Sequence, residues 1–544
     1  MATICWAPLA LLSLAAAAGG QDAVPQWTRF EARFTSAKQY ANPLQEVRLE
    51  VEWTGPGSKR HVTDGFWDGE NAWKARFSPD QTGDWSYVTR STPEDPGLHG
   101  QKGAFRCVRY SGSSPLYRHG AVGVSPDRRH FRQADGTPWF WLSDTAWHGV
   151  MKADAGSWEF YLKDRAAKGF TAVQFISTNW TAAAGNADLR VAFTGKERIA
   201  VDPVFYEWMD ERIDAINEHS MIAAPALIWT AGSPMNPGNL LPDDQVILLA
   251  RYMTARWGSH QVIWILNGDG DYTGERSERW KKIGRAVFSS PAQPDRLATL
   301  HPRGRTWMSE WFLGEPWFSF NGYQSGHRSD PDSLHWLTQG PLSQYWKREP
   351  HCPDVNLEPN YEAHRDRTPG ASRVFSDHDV RRAAYWSLLV APPAGVSYGA
   401  HGIWSWELKA HEPMAHRGTG VAPPWREAMN LPGSTQMKYL VKLFTSLHWW
   451  RLRPAPDLLL DQPGSKDPTR FVPLAVADDG SFSLAYLPVG TAVKIASKVP
   501  GRARWFNPRT GEWAAERNFG PGTTEFAAPD SNDWVLWREF IVSR

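Results

Sequence analysis

MIAAPALIW (221–229) and QVIWIL (261–266) are apolar runs separated by a stretch, about 243–257, whose apolar residues recur at helical spacing. Such runs read as strands buried on both faces, and a helix between two of them is the signature of a parallel βα unit. The alternation extends in both directions. Upstream, WFWLSD (139–144) is followed by Trp158, Tyr161, Leu162 and Arg165 at helical spacing, with Gly169 to stop the helix, then TAVQFIS (171–177) and a helix near 204–219. Downstream lie a helix near 277–288, LATLHP (297–302), WFSFNG (317–322), a helix near 331–347, DVNLEP (354–359), a helix near 377–390 and GVSYGAHGIWSW (395–406). These eight strands with interleaved helices predict a (β/α)8 TIM barrel over 116–450.

The flanks have a different period. In QEVRLEVEW (45–53), Val47, Leu49, Val51 and Trp53 alternate with Arg48, Glu50 and Glu52, and 65–90 continues as short aromatic strands between Asp-Gly, Ser-Pro-Asp and Thr-Gly-Asp turns. That pattern predicts an N-terminal β-sandwich over 22–112, joined to the barrel by SGSSP (111–115). After a last helix, QMKYLVKLFTSL (436–447), runs such as SFSLAYLP, TAVKIA and DWVLWRE predict a second β-sandwich over 455–544. The whole is a multidomain α/β chain. WAPLALLSLAAAA (6–18) reads as the core of a signal peptide, residues 1–20, cleaved near Ala18 or Gly20, which predicts a secreted or periplasmic protein. MATIC before it lacks Lys and Arg, so an uncleaved N-terminal anchor is the alternative. No later run approaches the ~18 apolar residues of a membrane span.

The net charge of +1 provides no sequence-wide basic field, which argues against nucleic acid and anionic membranes as partners. Cys5 leaves with the leader; Cys107 and Cys352 lack CxxC spacing and are expected as free thiols, with one long-range bridge as the alternative. HExxH, GxSxG and P-loop patterns are absent, and no metal or other cofactor is expected. Asn267, Asp269, Asp271 and Glu278 fall at EF-hand positions, but Tyr272 stands where that loop requires Gly and a strand precedes it. The compositional outlier is Trp, 31 of 544 residues, which suits a flat amphipathic ligand.

In a TIM barrel the site lies at the C-terminal strand ends. Asp269 ends the fourth strand and Glu358 the seventh, and two facing carboxylates are the minimum equipment for cleaving a glycosidic bond. Asp144, Trp147, Asn179, His301, Glu310, Gln324, His327, Tyr361 and Trp404 are further strand-end candidates for holding a poly- or oligosaccharide substrate, beside Trp180, Trp229, Trp311 and Trp406. Aromatic faces with polar neighbours match the flat C–H faces and hydroxyl rim of sugars.

Through SDTAWH, YLKDRAAKGF, VIWILNGD, TLHPRG, SEWFLGEPWFSFNGYQSGH, LEPNYE and GVSYGAHGIWSW, the barrel resembles the apiosidase-like glycoside hydrolases, glycoside hydrolase family 140 and its relatives. GFWDGENAWKARFSPDQTGDWSY resembles the small sandwich that precedes such barrels, and WFNPRTGEW with DWVLW resembles a C-terminal collagen-binding-type module. The resemblance implies that Asp269 is the acid/base and Glu358 the nucleophile of a retaining mechanism, with carboxyl groups about 5–5.5 Å apart. Asn267 and Leu357 stand where the family motifs have Gly. The expected activity is therefore hydrolysis of glycosidic bonds in plant or microbial polysaccharide. One rival is a non-catalytic secreted carbohydrate- or matrix-binding protein with a degenerate barrel, which the two altered positions would suit. Another keeps the enzyme but moves the acid to Glu310 or Asp271.

Overall fold

A computed structural model describes residues 23–289 and 296–541, so the expected leader at 1–20 lies outside the described residues. Among the described residues eight parallel strands form one sheet: β1 (Trp141–Thr145), β2 (Ala172–Ile176), β3 (Ile222–Trp229), β4 (Trp264–Gly270), β5 (Ala298–Pro302), β6 (Asn321–Tyr323), β7 (Asp354–Asn356) and β8 (Gly395–Tyr398). Their order, β5-β4-β3-β2-β1-β8-β7-β6, is that of a TIM barrel with one seam, between β5 and β6. Side chains close the seam. Thr299 Oγ1 donates to the Phe320 carbonyl (2.7 Å) and accepts from the Gly322 N–H (3.1 Å). Ser319 donates its N–H to the Ala298 carbonyl (2.9 Å) and accepts the Ala298 N–H on its hydroxyl (3.1 Å). Buried backbone groups must be paired, and two hydroxyls do here what a ladder does elsewhere.

Each strand is followed by a helix: α1 (Ala155–Ala167), α2 (Pro203–Glu218), α3 (Asp243–Trp257), α4 (Arg276–Phe288), the single turn α5 (Ser309–Phe312), α6 (Pro331–Gln339), α7 (Asp377–Leu389) and α8 (Pro432–Thr445). Asp154, Asp202 and Asp330 cap α1, α2 and α6 through their carboxylates, and Ser376 with Asp379 forms a capping box on α7.

Several boundaries differ from the sequence reading; β4, for example, spans Trp264–Gly270 rather than 261–266. Trp139 belongs to a separate three-stranded sheet (Val122–Val124, Phe131–Gln133, Pro138–Trp139), whose Phe131 packs on Trp141 and Phe320 and closes the strand-start end of the barrel. β6 begins at Asn321 rather than 317, because the Trp317 ring lies across α4, where a Cβ on Gly284 would come within 2.1 Å of it. The helix near 331–347 breaks at Gly340, whose extended backbone (φ −81°, ψ −151°) is what the following Pro341 demands. β8 ends at Tyr398, and 399–406 turns over the top of the barrel, with Gly402 at φ 96°.

Both flanks are sheet-rich. At the N-terminal side a five-stranded sheet containing Arg48–Thr54 and Gly83–Thr92 and a three-stranded sheet containing Ala72–Phe77 enclose Trp53, Trp85 and Phe77. This unit docks on α2 and α3 through buried charges: Arg76 and Arg256 both bind Asp210, and Arg256 also binds Asp68 (2.7 Å). At the C-terminal side a six-stranded and a two-stranded sheet dock on α7, where Arg381 forms a two-toothed ion pair with Asp533 (both contacts 2.9 Å). Cys107 and Cys352 are free thiols. No described helix is long and apolar enough to cross a membrane.

Thr299→Val keeps the side-chain volume but leaves the Phe320 carbonyl and Gly322 N–H without their partner. We expect a loss of about 1–3 kcal/mol in urea unfolding, with the secondary structure retained by circular dichroism.

Candidate active site

The C-terminal strand ends enclose a cavity of ≈ 380 Å³ to which both Asp269 and Glu358 contribute. Asp269 is placed by a backbone irregularity. The register of β4 against β5 shifts on both sides of Gly268, and Asp269 adopts φ 51°. Bulges re-aim side chains, and a left-handed non-glycine residue stores strain of about 1–3 kcal/mol that the surrounding structure must hold. Trp229 supplies part of that hold: its ring lies so close to Gly268 that a Cβ there would come within 2.0 Å.

Glu358 follows β7 and is 8% exposed. Each carboxylate oxygen has an imidazole: His327 Nε2 lies 2.8 Å from Oε1, and His301 Nε2 lies 3.3 Å from Oε2. Burial by itself would raise the Glu358 pKa, but the hydrogen bonds and charges of His301 and His327 outweigh it and hold the carboxyl well below the usual carboxylate range. Asp269 moves the other way, to about 6, because burial and the nearby Glu358 charge favour its proton more than His301, His327 and Arg367 oppose it. Glu358 is thus favoured as the carboxylate, and Asp269 is the group that keeps its proton to higher pH.

Aromatic side chains build the walls. Trp147, Trp180 and Trp229 stand side by side with neighbouring ring centroids 5.3 Å apart, and Trp147 Nε1 donates to the Tyr361 hydroxyl (2.8 Å). His416, from the long loop after β8, packs edge-on to Trp404 (4.8 Å) and Trp180 (5.5 Å). Arg303, Arg305, Arg328 and Arg367 stand around the mouth. Arg303 binds Asp271, whereas the other three make no side-chain ion pair among the described residues.

Of the residues expected from sequence to hold substrate, Trp147, Gln324, His327, Tyr361 and Trp404 line the cavity, and fully buried His301 acts from behind through Glu358. Three lie elsewhere. Asp144 is fully buried and binds Arg165, the Tyr161 hydroxyl (2.8 Å) and the Thr145 N–H (2.9 Å). Asn179 accepts the Ala192 N–H (3.1 Å) and so pins the loop after β2. Glu310 is exposed on α5, with the Tyr345 hydroxyl 3.4 Å away. Glu310 is therefore outside the cavity as an acid. Asp271 is committed to Arg276 (2.7 Å) and Arg303 (2.8 Å), which also dissolves the EF-hand-like spacing. Trp311 is exposed and Trp406 stacks on Trp425.

The arginines, His364 and His416 escaped the sequence reading. Arg303 follows directly on LATLHP and the strand-end rule could have found it; His416 sits in a loop without periodicity, where no such rule applies. The two departures from the family motifs also find their places. Leu357 is buried over Gly322, where a Cβ would come within 2.4 Å of it, and Asn267 is buried with its amide donating to Thr230 Oγ1 (2.5 Å). Neither lines the cavity.

Residues 125–451 match the family described as "Apiosidase-like, catalytic domain". The chain belongs to the apiosidase-like family. It is a glycoside hydrolase, and the strand-end carboxylates lie inside the matched region. Residues 23–92 match a domain of unknown function, DUF5060, and 454–539 match a "Putative collagen-binding domain of a collagenase". Among solved structures, a glycoside hydrolase family 5 protein from Bacteroides vulgatus ATCC 8482 is 24% identical with a TM-score of 0.68, over 79% of this chain and 95% of that one. Another from the same organism, named "a putative glycoside hydrolase", is 20% identical with a TM-score of 0.69, over 96% of this chain and 100% of that one. No curated protein matches. These likenesses carry the fold, and the family match carries the enzyme class.

Asp144 behaves in this apiosidase-like chain as a structural partner of Arg165. Asp144→Ala, which strands a buried guanidinium, should cost about 3–5 kcal/mol in denaturant unfolding. Substrate KM in the protein that remains folded should be unchanged; a raised KM at unchanged stability would return Asp144 to the substrate.

Proposed function

We propose that this apiosidase-like enzyme is exported and cleaves glycosidic bonds in plant or microbial polysaccharide with retention of anomeric configuration, Asp269 serving as acid/base and Glu358 as nucleophile. The observation that carries the reading is geometric: Asp269 and Glu358 line one cavity at the strand ends, and each oxygen of Glu358 has an imidazole beside it. Protonated Asp269 gives its proton to the leaving oxygen while a Glu358 oxygen attacks the anomeric carbon, so the C–O bond breaks as a glycosyl ester forms. Asp269, now a carboxylate, takes a proton from water; the water oxygen attacks the same carbon and Glu358 is released. Retention is the outcome that the resemblance at VIWILNGD and LEPNYE implies, and it requires the two carboxyl groups to stand about 5–5.5 Å apart.

The leader-like residues 6–18 support export. The tryptophan walls suit sugar faces, and Arg305, Arg328 and Arg367 at the mouth favour a glycan that carries carboxylates. Cleavage at an apiosyl residue is the specific form of the reading that family membership favours.

Release of sugar from pectic polysaccharides, followed by chromatography, tests the activity: Glu358→Gln should abolish it, and equal release by this variant would overturn the assignment. Proton NMR of the first-formed product should show the starting anomer; the opposite anomer would mean inversion. The pH profile has a definite sign. Asp269 is needed protonated, so kcat/KM should be full below its pKa and fall as pH rises through about 6, while Glu358 stays ionised to much lower pH. Asp269→Asn should lower turnover by about 10²–10⁴-fold and remove that alkaline limb.

A further inference from the structure

A second cleft, of ≈ 690 Å³, lies at the other end of the barrel, between the N-terminal sandwich and the strand-start face. One wall is the edge strand Arg60–Asp64 of the five-stranded sheet, and the facing wall is the edge strand Val122–Val124 of the small sheet that closes the barrel. Gly258 and Ser259, ahead of β4, form part of the floor. Trp27 lies between the walls in a left-handed conformation (φ 68°), its indole held against Gly120, where a Cβ would come within 2.6 Å of it.

Three features of this lining point to a ligand. Lys59, Arg60 and Arg132 face a single carboxylate, Asp80, among the described lining residues, and Lys59 and His61 (3.6 Å) pair with it. Arg132 is exposed and makes no ion pair or side-chain hydrogen bond among the described residues, and Arg60 has only Glu52 at 3.5 Å. The same lining holds buried polar atoms without a hydrogen-bond partner: Ser78 Oγ, Asp80 Oδ1 and Ser259 Oγ, the last on a residue only 3% exposed. Buried polar groups are normally satisfied, so such a group of them calls for an occupant. Hydroxyl and carboxylate together both donate and accept, as sugar hydroxyls do in return. The guanidinium groups match carboxylate or sulfate, and Trp27 offers an aromatic surface.

We propose that this cleft is a second, non-catalytic glycan site that binds a segment of acidic polysaccharide. A chain held there enters the barrel region from the face opposite Asp269 and Glu358, so the site acts by keeping the enzyme on a polymeric substrate and raising the local concentration of cleavable bonds. The inference does not depend on which sugar the catalytic cavity cleaves.

The test is affinity electrophoresis through gels containing polygalacturonate or a neutral glucan, using Glu358→Gln protein so that the polymer is not cut. Arg60→Glu with Arg132→Glu, both at exposed positions, should weaken retention on polygalacturonate about tenfold or more with an unchanged melting temperature. Arg305→Ala with Arg367→Ala, at the catalytic mouth, should leave most of the retention. If the charge-reversed protein does not fold, the Arg60→Gln, Arg132→Gln pair is used in its place. Retention unaffected by the cleft variants, equal retention on the neutral glucan, or loss of retention in millimolar phosphate at constant ionic strength would overturn the proposal, the last by showing a site for a small anion only.

Discussion

Two carboxyl groups share one cavity, and two like charges there raise the cost of ionising both. Two imidazoles, one beside each oxygen of Glu358, favour its ionised form, and burial with the Glu358 charge raises the pKa of Asp269. Each participant comes from a different strand end: Asp269 on β4, His301 on β5, His327 after β6 and Glu358 after β7. The two histidines thus sit on either side of the β5–β6 seam. The hydroxyl bonds of Thr299 and Ser319 close this seam. The bulge and left-handed backbone at Asp269 belong to the same constraint, since a regular strand would send this side chain elsewhere.

Much of this was legible in the sequence, for a physical reason. Parallel barrel strands are buried on both faces, so runs such as MIAAPALIW stand out from their surroundings, and strand ends are the one place where a polar residue faces the site. That rule selected Asp269, Glu358, His327 and Tyr361, which line the cavity, and His301, which lies against Glu358. It also selected Asp144, because a strand-end carboxylate facing inward and one turned outward against a helix have the same local sequence; Arg165, on α1, decides between them and is remote in the chain. Glu310 misled for a related reason: it follows β5 but rides on a single turn that projects away from the mouth. The small sheet over 122–139 and the position of His416 depend on tertiary packing, which no local period records.

Asn267 and Leu357 replace glycine at the two motifs that carry the carboxylates, and on sequence alone they speak for a degenerate site. Neither side chain lines the cavity: Leu357 packs over Gly322 and Asn267 donates its amide to Thr230 Oγ1. The flanking sandwiches are bound to the barrel by buried Arg–Asp contacts rather than by loose linkers, Arg76 and Arg256 on one side and Arg381 on the other. Such contacts fix orientation more than they add stability. A fixed orientation is what allows a cleft lined by both the N-terminal sandwich and the barrel to have a defined shape.

The central claim concerns two protons, and titration of the carboxyl groups tests it most directly. Carbon-13 NMR of protein labelled at Asp and Glu carboxyl carbons, with Asp269→Asn and Glu358→Gln to assign the signals, would follow both across the pH range. The account predicts that Asp269 ionises near 6, that Glu358 remains a carboxylate well below the usual range, and that removing the Glu358 charge lowers the Asp269 transition. Two carboxyl groups ionising together at ordinary values, with neither variant moving the other, would contradict it.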